Sequence, residues 1–403
     1  MLKNNSGGAV TAGTSNIFEL MTRNLRQSGI YIAFVAIVVL FTVLTQGALL
    51  SPGNLTNLVL QYSYILILAI GMVMIIVAGH IDLSVGSVVA LTGAVAAVVV
   101  VREGMPWWVG ILAALLTGVL VGVWQGFWVA IVGIPAFIVT LAGMLIFRGM
   151  TMQVLDNVSL SPFPAEYQMI AGGFLNGLLG GAGYDVFTML IGVLAAAGFG
   201  VQQWRVRRHK VRYRQPVESI WLFAAKVLLV SAVILAFAWR LANARGLPIV
   251  LILLAALVLI YGFVTQRTIF GRHIYAMGGN LQAAKLSGIK TRRVNFLLFI
   301  NMGVLAAIAG IVYSARSNSA QPGAGYMFEL DAIAAAFIGG AAVTGGVGKV
   351  QGAIIGGLIM AVMSNGMQIM GIDQSTQNVV RGVVLVLAVA FDVWAKKKAG
   401  IER

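Results

Sequence analysis

An all-α polytopic membrane protein is the fold class that the sequence predicts, and three observations predict it. Sixty per cent of the 403 residues are hydrophobic and only 10% are charged, whereas soluble domains run at about 45–50% apolar and about 25% charged. Apolar runs of about 20 residues, the length that crosses a bilayer, recur along the chain. The net charge of +15 is gathered into short clusters between those runs, which is the pattern of the positive-inside rule. A soluble enzyme, a nucleic-acid-binding module and a disordered chain are all poor readings of these numbers, and no nucleic-acid partner is expected. The 49 glycines suit closely packed membrane helices. The absence of cysteine excludes disulfides and thiolate metal sites.

Twelve crossings are expected, some of them short. In order they are Ile30–Gln46, Leu58–Ala78, Ser87–Val101, Trp107–Val132, Ile134–Thr151, Val186–Val201, Ile220–Trp239, Leu247–Thr265, Val294–Ser314, Ala332–Val347, Gln351–Met370 and Asn378–Val393. Residues 1–403 thus read as a single transmembrane domain. The first apolar run reads as an uncleaved span rather than a signal peptide. Four basic regions fall on one side by parity: the arm of residues 1–29 with Lys3, Arg23 and Arg26; the loop Gln202–Glu218 with Arg205, Arg207, Arg208, Lys210, Arg212 and Arg214; the loop of residues 266–293; and the tail with Lys396, Lys397, Lys398 and Arg403. That side reads as cytoplasmic, with both termini on it. Glu103, Asp156, Glu166, Asp185, Glu329 and Asp373 fall in the opposite loops, and Arg240 and Arg245 depart from the rule.

Catalytic signatures are missing. Gly345-Gly346-Val347-Gly348-Lys349-Val350 imitates a P-loop, but Val343 replaces the leading glycine and Val350 the hydroxyl residue. It reads as a glycine-rich turn. His80, His209 and His273 are scattered and form no metal-binding pair. Neither a cofactor nor a metal is expected.

Two segments interrupt apolar runs. Gly79-His80-Ile81-Asp82-Leu83-Ser84-Val85-Gly86 offers Asp82 and Ser84 as helix N-caps. Asn318–Tyr326 leads into Glu329, Asp331 and a short apolar stretch, so a capped, interrupted helix is expected in each half, a pointer to transporters with internal repeats. Arg148-Gly149 and Arg381-Gly382 also sit in loosely matching places. An ionisable residue on a broken membrane helix is a functional candidate. Asp82 and Ser84 are therefore taken as shaping a substrate path, and Asn301, Asn365 and Gln368 as further path candidates. Gln61, Gln125 and Ser364 are polar residues of the same kind, and packing between helices is the plainer role for all of them.

The loop of residues 266–293 is the most informative piece. Gly278 and Gly279 are expected to turn, Asn280 to cap a short helix through Ser287, and Gly288 to stop it. Such a helix is too polar to span and suits either a surface connector or a dock for a soluble partner.

These residues carry a resemblance. Gly271-Arg272, Tyr275-Ala276, Gly278-Gly279-Asn280, Ala283-Ala284, Ser287-Gly288-Ile289, Ile81–Gly86, Ser319–Pro322, Glu329–Ala335, Gly339-Gly340 and Gly345-Gly346 with Gly348 together resemble the integral membrane permeases of bacterial ABC sugar importers of the ribose/xylose type. The resemblance implies a ten-span core. Here residues 186–245 add two spans and a basic loop, and this longer form resembles the xylose-transport permease subgroup, making xylose the first expected sugar. The family implies a non-catalytic permease in the bacterial inner membrane, working as a homodimer with an ABC ATP-binding subunit, which holds the ATP, and a periplasmic sugar-binding protein. The coupling helix then consists of Asn280, Gln282, Ala283, Ala284, Lys285, Ser287 and Gly288. Alternatives are the same permease type carrying another pentose or a nucleoside, and a proton-coupled secondary transporter relaying through His80 and Asp82.

Overall fold

Side-chain size, rather than polarity, decides which helix faces turn inward in this protein. The helix Trp107–Gly126 shows it. Gly110, Ala114, Gly118 and Gly122 are buried on one face, while Leu112, Leu116 and Leu120 are each close to 59% exposed on the other. Water would not tolerate that outward leucine stripe, but hydrocarbon does. Without a hydrophobic force between helices, packing favours small residues inside.

The computed structural model describes residues 25–181 and 183–398. Lys3, Arg23 and Arg403 lie outside the described residues. The chain begins with α1 (Leu25–Leu44), α2 (Pro52–Val77), α3 (Val85–Ala97, continued by π-helical turns to Arg102), α4 (Trp107–Gly126, continued likewise to Val132) and α5 (Ala136–Val154). The short α6 (Ala165–Gly172) follows, then α7 (Val186–Arg212), α8 (Ile220–Ala242), α9 (Ile249–Arg267), α10 (Ile269–Gly279) and α11 (Leu281–Leu286). The chain closes with α12 (Thr291–Ser317), α13 (Phe328–Ile338), α14 (Val350–Ile369) and α15 (Gln374–Lys398). Proline sits before or at the first position of α2, α4, α5 and α9, where its missing N–H costs nothing.

Among the described residues, nine helices are long and apolar enough to cross a membrane. They correspond to nine of the twelve expected crossings, and α1, α13 and α15 occupy the remaining three. One expectation fails: Ala332–Val347 is not a continuous helix. Only Phe328–Ile338 is helical. Gly340, Gly345 and Gly346 then take positive φ in a turn closed by the Ala342 N–H donating to Val347 O (2.9 Å).

The centre is α2, which is apolar all round and nearly wholly buried. Around it pack α9, α12, α13 and α14. The tightest seam joins α4 to α12: Gly118 lies against Gly303, Gly122 against Ile300 and Gly126 against Phe296. The inserted residues form an antiparallel α7–α8 hairpin at the edge, with Gly192 against Ala238. A two-residue β ladder ties its base to the body, pairing Phe174 with Pro248 and Leu175 with Leu247. The basic loop expected at Gln202–Glu218 is shorter than that, because α7 stays helical to Arg212. Arginine and lysine are good helix formers near a helix C-terminus, where they also oppose the dipole.

The glycine seam sets a stability prediction. A Gly122→Leu variant forces α4 from the α12 backbone and costs about 3 kcal/mol by overpacking, whereas Gly149→Leu, with open space around its Cα, stays near wild type. Thermal unfolding of the two purified variants checks the contrast.

Candidate functional site

Two irregular segments meet inside the helical body. The first runs from Ala78 to Ser84. Asp82 Oδ1 accepts from the Ser84 backbone N–H (2.8 Å) and from the Ser84 hydroxyl (2.7 Å). Ser84 occupies the N-cap position of α3 but its side chain makes no cap bond to the helix. It accepts instead from Gln125 Nε2 on α4 at 2.5 Å. Thr140 on α5 donates to Ile81 O (3.2 Å). Asp82, Ser84, Gln125 and Thr140 are all buried. The aspartate therefore closes an Asx turn around Ser84 rather than capping the helix directly.

The second segment, residues 318–327, descends between α12 and α13. Its expected cap is absent: Met327 precedes α13 in the left-handed region with no side-chain cap. Other contacts hold it. Leu160 and Ala320 exchange backbone hydrogen bonds at 3.0 Å each, Asn318 Oδ1 accepts from the Phe163 N–H (2.9 Å), and Arg148 donates to Ala324 O. The second segment meets the first turn of α3, directly after the first segment, at Gly325 and Gly86, where a Cβ on either would strike the other's backbone.

Ionisable side chains gather at this crossing. Glu329, expected in an outer loop, is instead buried in the first turn of α13, with Oε2 facing Gly86. Asp331, two residues on in the same turn, faces Arg381 of α15 across 3.8 Å, both about one-fifth exposed. The two loosely matching Arg-Gly pairs thus place one arginine on Ala324, just ahead of α13, and the other on Asp331 in its first turn. Arg148, Glu329, Asp331 and Arg381 are the residues that the sequence-based site misses. Their signal was available, since each is a charge within or beside an apolar run.

The other expected path residues lie elsewhere. Asn365 on α14 exchanges amide hydrogen bonds with Asn54 at the start of α2 (2.7 and 3.1 Å). Gln368, one turn on, accepts from Gln61 Nε2 (3.4 Å) and is exposed. Asn301 on α12 accepts from the Tyr261 hydroxyl of α9 (2.6 Å). Asp82 and Ser84 form one locus, Asn365 and Gln368 a second along the α2–α14 seam, and Asn301 a third. His80 packs on the Phe299 ring, 5.9 Å between centroids.

At the other end of α2 lies the loop helix. Asn280 Oδ1 accepts from the Ala283 N–H (3.0 Å), capping α11. Gly288, at φ +80°, stops it, with Ile289 N–H returning to Ala284 O (3.1 Å). Gly278 and Gly279 do not turn as expected; they complete the last turn of α10. The reason is steric: Gly278 lies flush against Val77 O and Gly346 N, and Gly346 N donates to that same Val77 oxygen (2.8 Å). Tyr275 donates to Gly348 O at 2.6 Å, and burial pushes its phenol pKa up, so it remains a protonated donor. On α11, Ala284 is buried, whereas Gln282, Ala283, Lys285 and Ser287 are exposed and Leu286 is 90% exposed. Leu286 was passed over in the sequence. Among the described residues no cluster of three or more His, Asp or Glu could hold a metal ion.

A family model described as branched-chain amino acid transport system, permease component, matches residues 54–389. The chain is 40% identical over 382 residues to the xylose transport system permease protein of Haemophilus influenzae, across 95% of this chain and 100% of that one. It is 40% identical to the xylose transport system permease protein of Escherichia coli K12, across 94% and 95%. It is 33% identical over 365 residues to the ribose import permease protein of E. coli K12, across 89% and 92%. No solved structure matches.

Because one oxygen of Asp82 takes both bonds from Ser84, an amide can replace the carboxylate but a methyl cannot. Asp82→Ala should lower the unfolding free energy by about 1–3 kcal/mol, the usual cost of an unmade buried hydrogen bond, while Asp82→Asn stays close to wild type. Thermal or denaturant melting of both variants measures it.

Proposed function

The chain belongs to the permease family of branched-chain amino acid transport systems, and from that premise we propose that it forms the translocation path of an ATP-driven sugar importer, with D-xylose as the sugar. The observation that carries this reading is the end-to-end similarity to two xylose permeases, at 40% identity over at least 94% of the chain. The shorter ribose-type relation supports the same chemistry at lower identity. The protein is a multi-pass subunit of the bacterial inner membrane. It does no catalysis itself, and ATP is hydrolysed by a separate ABC subunit.

The proposed assembly adds a second copy of the permease, the ATP-binding subunit and a periplasmic sugar-binding protein. Both termini and the basic loops face the cytoplasm, as the Arg/Lys clusters favour. The ATP-binding subunit meets α11 through Asn280, Gln282, Ala283, Ala284, Lys285, Ser287 and Gly288, with exposed Leu286 as the apolar knob that enters its surface. Support comes from the build of this helix: it is capped at both ends, seated by Ala284 and joined to α10, which packs against the end of α2.

Along the path, Asp82 and Ser84 hold the broken segment in shape. Asn365, Gln368 and Asn301 each face another amide or a phenol, and such neutral pairs can exchange partners with sugar hydroxyls without imposing a charge. Import follows when closure of the ATP-binding subunits moves α11 and opens the sugar's exit.

Reconstitution of the permease with its ATP-binding and sugar-binding partners tests the reading. ATP-dependent xylose uptake that survives an uncoupler is expected. Uptake driven by a proton gradient without any ATPase would reinstate His80 and Asp82 as a relay. On the same assembly, Leu286→Asp should cut sugar-stimulated ATP hydrolysis at least about tenfold, the size of a lost interface anchor, with an unchanged melting temperature. Gly288→Val should uncouple hydrolysis from uptake, because a β-branched residue at φ +80° is strained by about 1–2 kcal/mol.

A further inference from the structure

The α7–α8 hairpin has a charged end that the transport reading does not use. Its helices bury little against the rest: none of the apolar window of α8 is buried, and only about one-sixth of that of α7, at 17%. It therefore stands in lipid on most sides. Aromatic residues mark both of its ends. Tyr184 and Trp239 pack together at the base, 5.3 Å between centroids. Trp204 and Trp221 sit toward the other end, 48% and 83% exposed. From Trp221 to Trp239 the helix rises about 27 Å, close to the hydrocarbon thickness of about 30 Å. Such girdles sit at headgroup level.

Beyond Trp204 the helix does not stop. It continues to Arg212, carrying Arg205, Arg207, Arg208, Lys210 and Arg212 into the headgroup layer. These charges are arranged rather than merely solvated. Arg207 donates to Glu218 O (2.6 Å) and lies over the Phe223 ring at 5.0 Å. Arg208 lies over Trp204 at 5.9 Å. The nearby acid, Glu218, is paired with Lys226 at 3.8 Å, so its carboxylate does not neutralise the arginines. A groove lined by Trp204, Arg207, Arg208, His209, Val211 and Arg212 results, in which an indole and a valine stand beside three guanidinium groups.

We infer that this end of the hairpin binds the phosphate headgroup of an anionic phospholipid, with an acyl chain running along the exposed apolar face of α7. Charge complementarity selects the anion, since four to eight Arg/Lys beside a membrane helix attract anionic lipid. The exposed Trp204 ring and the apolar helix below it select a lipid over a soluble phosphate. The hairpin then acts as an anchor that fixes the permease edge in the membrane, whatever solute the path carries.

The full chain, purified in mild detergent with its partner subunits, is exchanged into nanodiscs of phosphatidylcholine with or without phosphatidylglycerol, and retained lipid is counted by native mass spectrometry. Wild type should retain phosphatidylglycerol in preference, less so as salt rises. Changing Arg205, Arg208 and Arg212 together to Gln should weaken retention about a hundredfold, from about fivefold per charge. The same three changed to Lys should restore most of it. Arg207 is left intact because it also bonds the chain at Glu218. Equal retention of the two lipids overturns the proposal, as does a Gln variant that keeps its phosphatidylglycerol. Full displacement by inorganic phosphate would make this a soluble-anion site. Loss of the ATP-binding subunit with lipid retention unchanged would make it a protein dock. If the Gln variant does not fold, the lipid preference and salt response of wild type still decide.

Discussion

Backbone that leaves helical form within a bilayer has no water to bond, so it must be paired by protein or line a wet cavity. That constraint organises the centre of this permease. Residues 78–84 and 318–327 are both irregular, and each is held by bonds to other elements: from Gln125 and Thr140 for the first, which Asp82 also folds from within, and from Arg148, Leu160 and Phe163 for the second. The second segment meets the first turn of α3 at two glycines, because only a missing Cβ lets two backbones come together there. Once they are locked in this way, the short α13 starts inside the body, and Glu329 and Asp331 are carried in with it.

The charges at this crossing follow from the same constraint. A lone carboxylate in such a place is costly, so cations are drawn to it. Arg148 and Arg381 come from different helices, α5 and α15, the first bonding Ala324 just ahead of α13 and the second facing Asp331 in its first turn. The pairing of Asp331 with Arg381 is loose at 3.8 Å and partly open. A pair of that kind can separate at lower cost than a dry, bidentate one.

The sequence made the helices legible because lipid imposes a simple rule: about 20 apolar residues make a crossing. It was least reliable where glycine did the work. Gly278-Gly279 suggested a turn, yet the chain stays helical there so that Val77 and Gly346 can approach. Ala332–Val347 looked apolar enough to span, yet Gly340, Gly345 and Gly346 bend it away. Composition cannot distinguish a glycine that breaks a helix from one that lets another backbone in. Of the expected site, the Asp82–Ser84 locus and the capped α11 were readable from local spacing. The pairing of Asn365 with Asn54, of Gln368 with Gln61, and the arginine contacts at Ala324 and Asp331 were not, since each depends on partners far away in the chain.

The two readable loci are mechanically joined. Gly278 at the end of α10 lies against the last turn of α2, and Val77 O in that turn also accepts from Gly346 in the turn before α14. A displacement of α11 therefore reaches two elements at once. Through Val77 it acts on the segment that Asp82 folds around Ser84. Through Gly346 and the Tyr275–Gly348 hydrogen bond it acts on α14, which packs against α13 where Gly339 meets Gly352. These close backbone contacts leave little slack, because packed interiors transmit strain rather than absorb it. The carbonyl of Val77 thus joins the end of α10 to both α2 and the turn before α14, and the contact of Gly86 with Gly325 ties the start of α3 to the second irregular segment.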